Sequence, residues 1–153
     1  MIRSLLFILF LAFICSCEYT TQNGEGTVEA LEQEMPSDGV FIHISHGADD
    51  PHRVVMGLSM ALKMSEDKDV LVYFDIKGIE VVLNDAEEIT HPTFPTSGEM
   101  LEKLIGKGVP LFACPGCLKA AGKTGEDLME GVKVAEKEKF FNFTKGRILT
   151  IDY

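Results

Sequence analysis

The sequence predicts an α/β fold built on a parallel sheet with helices on both faces. Three observations carry this. From Gly39 onward, short β-rich runs alternate with segments whose apolar residues recur at helical spacing. The run Asp69–Asp75 is almost continuously apolar, as strands buried on both faces are. Turn and cap residues stand at the junctions.

Val40–Ser45 is expected as the first strand, followed by turn residues His46–Asp50. Asp50 then Pro51 marks a helix start, an acidic cap before proline at the first helical position. Val54, Val55, Leu58, Ala61, Leu62 and Met64 give that helix its inner face to about Ser65. Met56, Met60 and Met64 are expected as helix core rather than as a metal stripe. Asp69–Asp75 is the second strand. Ile79–Leu83 fits a short helix or a strand equally well, and 84–96, with Pro92 and Pro95, reads as a loop. Ser97 is expected to cap a helix that ends at Ile105, with Gly106 as its stop. Val109–Ala113 is the third strand. Cys114-Pro115 opens a helix ending near Gly122, and Thr124–Asp127 resembles a capping box before a short helix. A short strand at Val132–Ala135, a helical turn around 136–143 and a last strand at Arg147–Asp152 complete the chain.

The 153 residues suit one domain, and 46% hydrophobic content supplies a core. A net charge of −10 speaks against a nucleic-acid binder and against polybasic attachment to anionic lipid. Four cysteines are too few and too unevenly placed for a disulfide-built miniprotein. Before the domain, Arg3 precedes an uncharged run, Leu5–Cys15, whose eleven residues are too short to span a bilayer. This reads as an export signal. The following Ile14-Cys15-Ser16-Cys17 looks like a lipobox, with small Ser16 before Cys17. The expected organisation is a lipoprotein signal at 1–16, a lipidated Cys17 with an acidic tether to residue 38, and the domain at 39–153. The alternatives are an ordinary signal peptide or an uncleaved anchor. The lipoprotein reading puts the chain in a bacterial cell envelope, held on a membrane by acyl chains and facing the periplasm or the cell surface.

Cys114-Pro115-Gly116-Cys117 carries most of the chemical information. The thiolate is the reactive form of cysteine. Cys114 is placed at a helix N-cap, where unpaired N–H groups favour the anion, with Lys119 and Lys123 as nearby positive charges. Cys117 lies one turn on, within reach of Cys114. The alternative is two small buried residues that pack like alanine. Zinc is not expected, because a structural site wants four ligands and only one C-x-x-C pair is present. His43 and His46, three apart on a strand, are expected on opposite faces, with His43 a core residue. In a parallel sheet ligands collect at the carboxyl ends of the strands, so His46, Asp75 and Cys114 are expected along one edge. His46, Asp75 and Arg53 are the candidate substrate contacts beside Cys114 and Cys117. His46 reads equally as a solvated turn residue, and Arg53 as a solvated or ion-paired one. His91 lies in the 84–96 loop, which is a candidate cover for the site.

The stretch 39–153 resembles the DsrE/DsrF-like family of sulfur-relay subunits and their relatives. The resemblance rests on strand 1 running into Asp49-Asp50-Pro51-His52-Arg53, on the ending Phe74-Asp75 of strand 2, and on Val109-Pro-Leu-Phe-Ala-Cys114-Pro-Gly-Cys117-Leu-Lys-Ala-Ala-Gly122. It implies a three-layer α/β/α fold with a mostly parallel sheet of about five strands, and homo-oligomers, often trimers or hexamers. It also implies that Cys114 carries sulfur as a persulfide between donor and acceptor proteins or small sulfur compounds, without a cofactor. Two features depart from the relay members, which are cytoplasmic: the export signal, and the second thiol, Cys117, which carriage does not require. The expected function is therefore a sulfur carrier or sulfurtransferase. The alternatives are a thiol–disulfide oxidoreductase using the cysteine pair and an oligomeric ligand-binding module without catalysis.

Overall fold

The computed structural model describes residues 35–153. The expected signal, the lipidation site Cys17 and most of the tether lie outside the described residues. Five strands form one sheet: β1 (Gly39–Ile44), β2 (Asp69–Phe74), β3 (Leu111–Ala113), β4 (Val132–Val134) and β5 (Ile148–Asp152). Their order is β4-β3-β2-β1-β5, and every pair is parallel. The helices are α1 (Pro51–Met64), α2 (Ser97–Gly106), α3 (Pro115–Ala120) and α4 (Lys137–Phe140), with 3-10 turns at Gly78–Val82 and Gly125–Asp127.

The strand order distributes the helices. From β1 to β4 each connection steps the same way across the sheet, and right-handed crossovers then place α1, α2 and α3 on one face. The return from β4 to β5 runs the other way and carries α4 to the opposite face. The side chains agree. Val40, Ile42 and Ile44 of β1, Val70, Val72 and Phe74 of β2, and Leu111 and Ala113 of β3 join one buried cluster with Val54, Val55 and Leu58 of α1 and Met100, Leu101 and Leu104 of α2. Leu118 of α3 belongs to it as well. A fully buried Leu or Phe in such a cluster contributes about 1.5–3 kcal/mol. Alternation turns Phe41, His43, Leu71, Tyr73 and Phe112 to the other face. There Phe140 of α4 meets Phe41 and Tyr73 at ring-centroid distances of 5.1 and 4.8 Å. The three layers are therefore unequal, because the second face is covered by a single four-residue helix.

Several boundaries differ from expectation for identifiable reasons. The cap of α2 is Thr96, not Ser97. Thr96 accepts from the Glu99 N–H at 3.3 Å and the Glu99 carboxylate accepts from the Thr96 N–H at 3.2 Å. Ser97 is turned inward instead, accepting from the Ile89 N–H at 3.0 Å and donating to Glu88 at 3.1 Å. Gly106 is the last residue of α2, and the left-handed glycine after it is Gly108, at φ +74°. β3 starts at Leu111 because Pro110 has no N–H and the Val109 N–H bonds back to the Leu104 carbonyl at 3.0 Å. The undecided 79–83 segment is a 3-10 turn. Met60 and Met64 pack partly buried against the core, whereas Met56 is half-buried without joining it.

Gly78 shapes the sheet edge after β2. A Cβ on it would fall on the Ile44 carbonyl, so only glycine lets the 3-10 turn approach the end of β1. That approach folds Asp75-Ile76-Lys77 tightly against the sheet edge. The Asp75 and Lys77 N–H groups donate to the carbonyls of Ile44 and Ser45, both at 3.2 Å.

Candidate functional site

Cys114 directly follows β3, and its N–H donates to the Phe74 carbonyl at 2.9 Å, so the end of β2 fixes its backbone. Its side chain is the N-cap of α3, with Pro115 at the first helical position. The sulfur accepts from the Cys117 N–H at 3.3 Å. Burial would push this thiol up. The opposing hydrogen bonds from the Cys117 thiol, the Tyr73 hydroxyl and the amides of Cys117 and Gly116 outweigh it, and the net effect is a thiol held below the ordinary cysteine range. Lys119 and Lys123, expected beside this sulfur, are not the cause. Lys119 is exposed and Lys123 pairs with Asp85 at 3.2 Å.

Cys117 is pushed the other way, first by burial and then by the Cys114 sulfur. One donor acts against that shift, the Ile76 N–H, 3.1 Å from the Cys117 sulfur. Ile76 sits at φ +47°, a left-handed conformation that is a genuine outlier for a β-branched residue. Both cysteines are free and half-buried.

Beside the thiols lies a group that sequence reasoning missed. His43 is not a core residue. It points to the thinly covered face with one ring nitrogen on each of two carboxylates, Nε2 to Asp75 at 2.8 Å and Nδ1 to Asp152 at 2.9 Å. Asp75 is 20% exposed and Asp152 70% exposed, so the inner contact is the dry one. The facing atoms, His43 Nε2 and Asp75 Oδ1, are buried and meet at ion-pair distance without well-aligned hydrogen-bond geometry. Neither has another partner, so each depends on the other. The parallel register sets His43 against Tyr73 on one side and Asp152 on the other. The signal for His43, Tyr73 and Asp152 was the period of two: each stands on the face opposite the core, at the carboxyl end of its strand.

The remaining sequence candidates lie apart. His46 bonds Asp49 at 3.2 Å, and Lys77 approaches the same carboxylate at 3.4 Å. The Gly47 N–H, ahead of the His46 and Lys77 contacts, brings the Asp49 carboxyl down to about 2. Arg53 is held by Asp50 at 3.0 Å. The structure therefore brings together Cys114, Cys117 and Asp75 with Tyr73 and His43, while His46 and Arg53 are tied to carboxylates at the start of α1. The 84–96 loop does not close on the thiols. His91 stacks on His52 of α1, with ring centroids 4.5 Å apart, and Glu88 accepts from the Gly98 N–H at 2.8 Å. A cavity of about 390 Å³ along this segment is lined by Glu80, Asp85, Glu87 and Lys123 and includes neither cysteine.

Residues 38–147 match the DsrE/DsrF-like family. The chain belongs to that family. The matched span contains the strand-to-helix turn at Cys114 and β1 to β4 of the sheet. A relative, the uncharacterized protein MJ0760 of Methanocaldococcus jannaschii, is 26% identical over 110 residues, covering 69% of this chain and 39% of that protein. The chain thus spans well under half of that relative's length. Two solved structures share the DsrE-like fold. MTH1491, a protein of unknown function from Methanobacterium thermoautotrophicum, is 24% identical with a TM-score of 0.53, over 74% of this chain and 98% of that one. The ychN protein from E. coli is 15% identical with a TM-score of 0.53, over 75% and 99%.

Proposed function

We propose that the protein is a thiol-based sulfur carrier or sulfurtransferase in which Cys114 is the sulfur-bearing residue. One observation carries the reading: the Cys114 sulfur sits at the carboxyl edge of a parallel sheet, half-buried, with hydrogen-bond donors gathered on it that favour the thiolate. The link of the DsrE/DsrF-like family to sulfur relay supports it. In the loading step the Cys114 thiolate attacks the outer sulfur of a donor such as thiosulfate or polysulfide. The donor's S–S bond breaks, sulfite or a shortened polysulfide leaves with the electron pair, and Cys114 becomes a persulfide. In the delivery step an acceptor thiolate attacks the outer sulfur and the Cys114 thiolate departs. A lowered thiol is the better leaving group there.

The test loads protein carrying Cys117→Ser, so that one thiol of the pair is read, with polysulfide, removes the excess and presents cyanide as acceptor. Thiocyanate should form in proportion to the persulfide on Cys114, and Cys114→Ser should abolish it. Thiocyanate from the Cys114→Ser variant at the parent's level would refute the assignment. The placement of Cys117 one turn after Cys114, with its N–H on the Cys114 sulfur at 3.3 Å, favours a second reading, thiol–disulfide exchange through the pair. A reversible Cys114–Cys117 disulfide, together with failure to carry persulfide in Cys117→Ser, would select it. On the Ile14–Cys17 pattern we also propose lipid anchoring through Cys17 outside the cytoplasm, tested by the intact mass of membrane-extracted protein. On the family resemblance we propose a homo-oligomer, tested by light scattering.

A further inference from the structure

We propose that Cys117 is a resolving thiol that discharges sulfane sulfur from Cys114 as hydrosulfide, so that the protein reduces persulfide sulfur as well as carrying it; this rests on Cys114 being the sulfur-bearing residue. The first observation is position. Cys117 is one turn into α3, and its N–H touches the Cys114 sulfur at 3.3 Å. That atom becomes the inner sulfur of a Cys114 persulfide. A thiol attacking the inner sulfur needs no approach beyond a side-chain rotation.

The second observation is the Ile76 turn. Its left-handed conformation is strained for a β-branched residue. Its side chain is 64% exposed, so the turn is held by the backbone bonds of Asp75 and Lys77 at the sheet edge and not by side-chain packing. What the conformation does provide is an N–H aimed at the Cys117 sulfur at 3.1 Å. Such a donor is worth most to a sulfur that carries negative charge. Of the two thiols Cys114 is the one held low and Cys117 the one pushed up, so the donor suits a later state in which Cys117 carries the charge.

The chemistry closes within the pair. A Cys114 persulfide is an anion at its outer sulfur, and S²⁻ is not a leaving group. Cys117, which holds its proton in the resting state, supplies that proton. The resulting Cys117 thiolate, received by the Ile76 N–H, attacks the Cys114 sulfur. A Cys114–Cys117 bond forms, the bond to the outer sulfur breaks, and hydrosulfide leaves with the electron pair. The outer sulfur is reduced by two electrons and the two cysteines are oxidised to a disulfide. An external dithiol then reduces the disulfide and restores both thiols.

The experiment uses the full chain and its Cys117→Ser variant, each treated with sodium polysulfide, desalted and digested without reductant. Both cysteines fall on the tryptic peptide of residues 108–119. The parent should lose about 2 Da on this peptide and release about one hydrosulfide per chain more than Cys117→Ser does, the variant correcting for hydrosulfide freed by loading itself. The variant should keep a gain of about 32 Da, one sulfur atom, on Cys114. Dithiothreitol should then return the parent peptide to its unmodified mass, restoring both thiols. A parent that keeps the added sulfur as the variant does, or a variant that releases hydrosulfide equally, overturns the resolving role and leaves carriage standing. A variant that gains no sulfur on Cys114 overturns the carrier reading itself.

Discussion

Replacing Tyr73 by phenylalanine should reshape the reactivity of Cys114 in a way that no loss of packing imitates. The ring stays, so its contacts with Phe140 at 4.8 Å and Phe41 at 6.1 Å persist. Only the hydroxyl, one of the groups that lower the Cys114 thiol, is lost. A hydrogen bond to a charged group contributes about 1.5–3 kcal/mol, and the low end corresponds to roughly a tenfold smaller thiolate fraction at pH 6–7. A more basic thiolate is also more nucleophilic, by about threefold for that change at a Brønsted slope of ~0.45. The net expectation with a disulfide probe is about threefold slower reaction at pH 6–7. Above the pH at which both proteins are fully ionised, the same slope makes the variant about threefold faster. The two rate–pH curves therefore cross. The assay follows dithiodipyridine reaction on the 108–119 peptide in a Cys117→Ser background, so that one thiol is read. Superimposable curves would show that the hydroxyl does not act on the sulfur and leave the amide donors alone to account for the lowered thiol.

Removing His43 should strand the buried Asp75 oxygen. His43→Ala is expected to lower stability by about 1–3 kcal/mol in urea unfolding, whereas Asp152→Asn, at the exposed end of the same cluster, should change it by less than about 1 kcal/mol. Equal losses would mean that the inner contact has no special weight. Gly78→Ala drives a Cβ into the Ile44 carbonyl and should cost about 1–3 kcal/mol or more in thermal unfolding, with the Ile76 turn displaced from Cys117. An unchanged melting curve would contradict the close approach. The depressed Asp49 carboxyl contributes stability that is present above about pH 4 and is lost as pH falls toward about 2. Asp49→Asn should make the acid limb of the stability profile shallower in that window, and an acid limb identical to the parent's would show that the Gly47 and His46 contacts do not form in solution.

The parallel sheet was legible because it is written in local chemistry. Apolar strands alternate with capped helices, Asp50-Pro51 opens α1, and Cys114-Pro115 opens α3 as expected. The site was legible in part for the same reason. Cys114 and Asp75 each end a strand, and parallel order brings strand ends together. What escaped depends on partners distant in sequence. His43 was read as core because a histidine inside an apolar strand carries no local sign of its face. Only the register of β1 against β2 and β5 sets it among Tyr73, Asp75 and Asp152. Of the groups expected to favour the Cys114 anion, the backbone N–H groups of α3 do so and Lys119 and Lys123 do not, while the Tyr73 hydroxyl, from a neighbouring strand, leaves no sign in the sequence. Likewise Ser97, the expected cap, gives its hydroxyl to the Ile89 N–H, and Thr96 caps α2 in its place. The left-handed Ile76 has no sequence signal, since its conformation is imposed by the close approach that Gly78 permits.

Both proposals for the thiol pair require that Cys114, not Cys117, takes up sulfur first. A short pulse of polysulfide at pH 6–7, quenched by alkylation and mapped by fragmentation of the 108–119 peptide, reads the order directly. The first gain of about 32 Da should fall on Cys114, and Cys117 should change only after Cys114 has been modified. A first gain on Cys117, or neither a gain nor a disulfide on the pair while the domain remains folded, would contradict this order and return the pair to a packing role.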